Sequence, residues 1–229
     1  MRIARVQLAA PPDRLRELCG FYERTLGLRV VERGEEGFAV ACGDAVIAFE
    51  AGAGDPFHHF ALLVPGDRFD AAFAWAQERV ELLPGPDGSA TFDFGTWPAL
   101  AVYFLDPAGS IVELIAHPGV GEAGEKGPFD ASELLGISEV GMVTADLADA
   151  VARSRAEAGI AQWDGSADAG IVFAGERAHT LIFSSPGRGW LPTGRPAEAH
   201  PVRAMVVDGD AEAYEVAAGD GGPAQVRRA

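Results

Sequence analysis

Three residues able to do chemistry fall at one position of a repeated pattern. Arg5 lies in Ile3-Ala4-Arg5-Val6-Gln7-Leu8, His59 in Phe57-His58-His59-Phe60-Ala61-Leu62, and Glu139 in Ile137-Ser138-Glu139-Val140-Gly141-Met142. Each stretch reads as a strand that runs through a turn into an amphipathic helix. Strand side chains alternate, so this position faces away from the residues that pack on the helix. A repeat that varies a polar residue at one inward position builds a site. The phase of Phe60 and Leu62 sends His59, not His58, to the inner face, where a satisfied core histidine is the competing reading. Glu113 sits between Ile111 and Ile115 on one strand face. A carboxylate on an apolar face needs a partner, because burying it alone is costly. A metal ion, Arg5 or His59 could be that partner.

Other residues carry weaker signals. Gln7 shares the face of Arg5 and could orient a ligand or make a structural hydrogen bond. Trp97 and Tyr103 could line a cavity, although aromatic residues near such junctions are more often core. Arg188 and Trp190, in Pro186-Gly187-Arg188-Gly189-Trp190-Leu191-Pro192-Thr193, read as a loop anchored by a buried tryptophan in preference to an anion-binding rim. There is no phosphate-binding glycine loop, nucleophile elbow or paired CxxC motif.

The positioning elements repeat as βαβββ, an α+β pattern. The first module covers residues 1 to 52, with Asp13 as helix cap, a stripe of Leu15, Leu18, Cys19, Tyr22 and Leu26, and Gly27 as the stop. The second covers 57 to 117, with Asp67 as cap and the turn Asp106-Pro107-Ala108-Gly109 before its last strand. Residues 1 to 117 are expected to pair as one domain. The Gly- and Pro-rich stretch 118 to 135 reads as a linker. A third module with an added strand is expected over 136 to 208, without metal and in a structural role. Residues 209 to 229 read as a flexible tail.

Bulk composition narrows the function. The 229 residues carry 34 Asp and Glu against 18 Lys and Arg, a formal net charge of -16. Nucleic acid and anionic membrane are poor partners for such a surface. No apolar run approaches a membrane span, and the N-terminal stretch has no signal-peptide h-region. Cys19 and Cys42 read as buried reduced thiols, and the expected location is cytoplasmic.

The doubled module resembles the vicinal oxygen chelate superfamily, which includes glyoxalase I, bleomycin and fosfomycin resistance proteins and extradiol dioxygenases. The likeness rests on the helix end Phe21-Tyr22 to Leu26-Gly27-Leu28, on His59-Phe60-Ala61-Leu62, and on Tyr103-Phe104-Leu105-Asp106-Pro107-Ala108-Gly109-Ser110-Ile111-Val112-Glu113-Leu114. Ser110 stands where that signature usually has Asn. The resemblance implies curved sheets around a cavity, with a divalent metal held from the first and fourth strands of paired modules. Carried onto this chain, those positions are Arg5, Glu50, His59 and Glu113. Glu50 is placed there because Arg5 to Glu50 and Glu139 to Ser184 span the same separation, each pair with a preceding Phe. An arginine cannot ligate a cation. That leaves His59, Glu113 and Glu50 for zinc, nickel, manganese or iron.

Three functions stay open. One is a metal-dependent lyase or isomerase acting on vicinal oxygens, favoured over an extradiol dioxygenase because Arg5 replaces a His. There Glu113 or Glu50, if free of metal, would move a proton. The alternative is a metal-free protein that sequesters a small, cationic, aromatic molecule. The third is a metal-free enzyme with Arg5 as an electrostatic clamp. A homodimer that closes the cavity is compatible with each.

Overall fold

The computed structural model describes the chain apart from Thr96, Glu125, Lys126, 209–211 and 220–221. Part of the expected linker, part of the expected tail and the residue before Trp97 therefore lie outside the described residues.

The first module comprises β1 (Arg2–Ala10), α1 (Leu15–Gly20) with a π-helical turn over Phe21–Thr25, β2 (Arg29–Arg33), β3 (Gly37–Cys42) and β4 (Ala45–Ala51). The second comprises β5 (His59–Val64), α2 (Phe69–Gln77), β6 (Phe92–Asp93), β7 (Leu100–Leu105) and β8 (Ile111–Ala116). The third comprises β9 (Gly136–Val143), α3 (Leu147–Ala158), β10 (Gln162–Ser166), β11 (Ile171–Glu176) and β12 (His179–Ser184). In each, the first strand lies parallel to the last, and the other strands continue antiparallel from it. A hairpin of β13 (Gly189–Trp190) and β14 (Arg195–Pro196) follows. The chain ends in an antiparallel meander of β15 (Val202–Asp208), β16 (Glu212–Ala218) and β17 (Gln225–Arg228).

Local chemistry explains the helix limits. Asp146 caps α3 by accepting from the Asp149 amide, and Gly159 ends it at φ +67°, a conformation that favours glycine. Asp13 and Asp67 do not cap their helices. Asp67 instead accepts from the amides of Ala123 and Gly124. With the Arg68–Glu133 ion pair and the buried Phe129 and Leu134, this binds the described part of 118–135 to the protein body.

Two expectations about organisation are corrected. Residues 212–218 and 225–228 are strands, so this region is not a loose tail. They complete a fourth, helix-free unit with β15. The first module also does not close on the second. β1 pairs antiparallel with β15, and β5 pairs antiparallel with β9. Burial gives the physical reason. β5, β8 and β9 are buried along their whole length, so they need cover on both faces. In β15, buried Val202, Ala204 and Val206 alternate with more exposed residues, and β1 likewise turns Arg5 and Gln7 to its open face. Strands with two apolar faces meet in the interior, and strands with one polar face meet beside solvent.

One large core joins the helices to the outer faces of the sheets, through residues such as Phe60, Val112, Val140 and Phe183. A smaller one lies on the inner face of the second and third modules, around Ala61, Tyr103, Ile115, Ile182 and Trp190. Cys19 and Cys42 are free and buried. Among the described residues, no helix is long and apolar enough to cross a membrane.

Candidate functional site

His59 opens β5 and Glu113 lies mid-strand on β8, with Ala61 as the register partner of Glu113. On the other side of β5, Ala61 also pairs with Glu139 of β9. The two glutamates therefore rise from flanking strands over a methyl group, which leaves the space between them open. One ligand-capable atom from each of His59, Glu113 and Glu139 lies within 4.8 Å of the others, and all three residues are buried.

The imidazole is oriented. His59 Nδ1 lies 3.2 Å from the Ile111 carbonyl oxygen. A carbonyl only accepts, so Nδ1 carries the proton and Nε2 keeps its lone pair. That Nε2 faces Glu113 Oε2 at 3.6 Å. Burial lowers the His59 pKa to about 4, which keeps the ring neutral and able to ligate. The Trp190 ring packs over it, centroids 5.1 Å apart. Trp190 fits because residue 141 is glycine: a Cβ there would lie 2.9 Å from Trp190 Cη2.

The carboxylates are held at a cost. Burial pushes the Glu139 pKa up to about 8. Burial, then the charge of Glu139, pushes Glu113 well above the usual range, against a hydrogen bond from Tyr103. Oε1 of Glu113 and Oε1 of Glu139 are buried without a hydrogen-bond partner. Two close carboxylates, two orphaned oxygens and a neutral imidazole form a donor set that fits a divalent cation with N and O preferences. The cavity above them has a volume of about 230 Å³. Its walls include Phe94, Trp97, Tyr103, Phe173 and Trp190, with Arg188 also lining it.

The structure divides the residues expected from sequence. His59, Glu113, Trp97 and Tyr103 face this cavity. Arg5, Gln7 and Glu50 do not. Arg5 makes a two-point ion pair with Glu32, at 2.8 and 3.0 Å, in a groove shared with Glu50. Gln7 donates to Glu50 at 2.7 Å. Register explains the error over Glu50. Glu113 pairs with the residue two beyond His59, and the equivalent partner of Gln7, two beyond Arg5, is Ala48. The same count in the third module gives Ile182, not Ser184, so the fourth position is an apolar wall. Glu139, expected to be structural, is the residue that completes the cluster. Its signal was present in the sequence, at the repeat position of His59.

No model of a protein family matches the chain, and no curated protein is similar to it in sequence. Solved structures are similar in fold. A "putative dioxygenase" from Bacillus subtilis superposes with a TM-score of 0.58 at 14% identity, covering 100% of this chain and 84% of that one. Glyoxalase I from Zea mays gives 0.54 at 12% identity, covering 99% and 92%. With its βαβββ units joined edge to edge in one continuous sheet, the chain has the vicinal oxygen chelate fold of these solved structures.

Proposed function

We propose that His59 Nε2, Glu113 and Glu139 hold a divalent metal ion, and that the protein is a metal-dependent lyase or isomerase acting on a small substrate with vicinal oxygens. The observation that carries this reading is the pair of buried carboxylates with orphaned oxygens beside an imidazole whose lone pair points at them. A bound divalent ion there would supply Lewis acidity, stabilising negative charge that develops on a substrate oxygen. The chain supplies the rest. The Ile111 carbonyl fixes the His59 tautomer. Tyr103 stays protonated, because burial and the nearby glutamates raise its pKa well above the usual range, and it donates to Glu113. Ile182, at the fourth repeat position, offers no ligand atom, so water or substrate would complete the coordination of a bound ion. Trp190 and the other aromatic walls limit water around the reacting atoms.

A metal-free binding protein is the second reading. A proton held between the raised Glu113 and Glu139, inside aromatic walls, would suit a small aromatic ligand. Elemental analysis of protein purified without added metal, beside a methylglyoxal–glutathione isomerisation assay, separates the two. A stoichiometric ion removed by Glu139→Gln supports the enzyme reading. A metal-free protein that fails to take up zinc, nickel, manganese or iron contradicts it.

A further inference from the structure

In a chain where acids outnumber Lys and Arg 34 to 18, arginines such as Arg5, Arg68, Arg153 and Arg227 pair with Glu32, Glu133, Asp149 and Glu215. Arg188 is among the arginines that do not, and it lines the candidate cavity. Arg188 pairs with no carboxylate among the described residues. Its one side-chain hydrogen bond goes from Nη1 to the Gly189 carbonyl, 3.1 Å away. Partial burial lowers its pKa, with no acid acting on it. Asp164 lines the same cavity, but its Oδ1 accepts from the Gly165 amide.

The Arg188 backbone is fixed. Its amide donates to the Ser185 carbonyl, and its carbonyl accepts from the Ala197 amide. The hairpin that follows is anchored by Trp190 against Gly141 and by Arg195 over the Phe57 ring. A partly desolvated guanidinium without a carboxylate partner, carried into a cavity by an anchored backbone, is built to meet an anion from outside the chain. The aromatic faces of Phe94, Trp97 and Phe173 on the cavity wall suit a flat ring. A volume of about 230 Å³ is below the roughly 300–1,000 Å³ of drug-sized sites, so a single ring is the fitting size.

We propose that Arg188 anchors the carboxylate of a small aromatic substrate whose other end reaches the His59, Glu113 and Glu139 donors. This rests on the reading of that cavity as the substrate site, and it assigns the substrate class.

The test compares benzoate with benzamide, a neutral probe of the same shape, by tryptophan fluorescence on metal-free protein. Wild type is expected to bind benzoate about tenfold tighter, the scale of a partly exposed charge-assisted pair. Arg188→Gln removes the preference, and Arg188→Lys keeps part of it. A preference that survives Arg188→Gln overturns the proposal, and so does wild type that binds neither probe. Manganese binding, measured separately, is expected to persist in Arg188→Gln, because Arg188 offers no ligand atom and its removal takes a positive charge from the cavity. Failure of wild type to bind manganese removes the metal reading while the benzoate comparison still judges Arg188.

Discussion

Glu113 and Glu139 stand opposite the same residue, Ala61, from the two strands that flank β5. Two carboxyl groups so placed lose hydration together and resist ionising together, so without a metal the fold must hold protons on them. Glu139→Gln is therefore expected to stabilise the metal-free protein by about 1–3 kcal/mol, a rise of roughly 2–4 °C in melting temperature per kcal/mol. The same variant should lose divalent metal affinity by more than about 100-fold, beyond the effect of losing an outer-shell partner. Thermal unfolding with and without manganese reads both changes. A variant less stable than wild type in the absence of metal would show that the glutamates stabilise the fold.

Gly141→Ala tests the aromatic cover. The new methyl meets Trp190 at 2.9 Å and the His59 carbonyl oxygen at 3.1 Å. Trp190 must shift away from the imidazole. The expected cost is about 1–3 kcal/mol from overpacking, with altered tryptophan fluorescence. Unchanged stability and an unchanged spectrum would mean that the indole is not wedged there.

Asp106 links the first two modules and gives a pH dependence away from the site. It accepts from the Tyr22 hydroxyl at 2.9 Å and from the amides of Ala108 and Ser110. Burial raises its pKa from 3.8 to about 6, against those hydrogen bonds. A carboxyl with a raised pKa binds its proton more tightly in the folded chain. Its stabilising contribution is full below pH 3.8 and is lost as pH rises through about 6. Asp106→Asn keeps an acceptor for the Ala108 and Ser110 amides, turns its amide nitrogen to the Tyr22 oxygen and removes this step. Urea unfolding at several pH values between 4 and 7.5 is expected to show a steeper loss of stability with rising pH in wild type than in Asp106→Asn; parallel curves would contradict it. Tyr22→Phe is expected to cost about 1–3 kcal/mol, because it strips a donor from a buried acceptor.

Arg5→His separates the two halves of the sheet. If the Arg5 position controlled the metal, an imidazole there would raise metal affinity. Arg5 is paired with Glu32 outside the cavity, so the variant is expected to bind metal as wild type does. A calorimetric gain of tenfold or more would place Arg5 back at the site.

The strand phase of His59 and Glu113 was legible because residues on either side, Phe60 and Val112, pack on the helices. Pairing was not legible in the same way. All the leading strands offer an open edge, and helix periodicity does not say which edges meet. The informative signal was the composition of the inner faces: His59, Ala61 and Leu63 on β5 are nearly closed to water, whereas Arg5 and Gln7 on β1 stay half-exposed. The final strands were not legible because residues 209 to 229 have little apolar periodicity. Among the described residues there, the meander buries the apolar side chains of Val216, Ala218, Ala224 and Val226, while Arg227 and Arg228 reach out to Glu215 and Glu212.

The most direct measurement is a manganese titration of wild type, His59→Ala, Glu139→Gln and Glu50→Gln by calorimetry. One ion per chain in wild type and in Glu50→Gln, with binding lost in His59→Ala and Glu139→Gln, is the predicted result. Binding that survives Glu139→Gln but disappears in Glu50→Gln would contradict the assignment and move the centre to the first module.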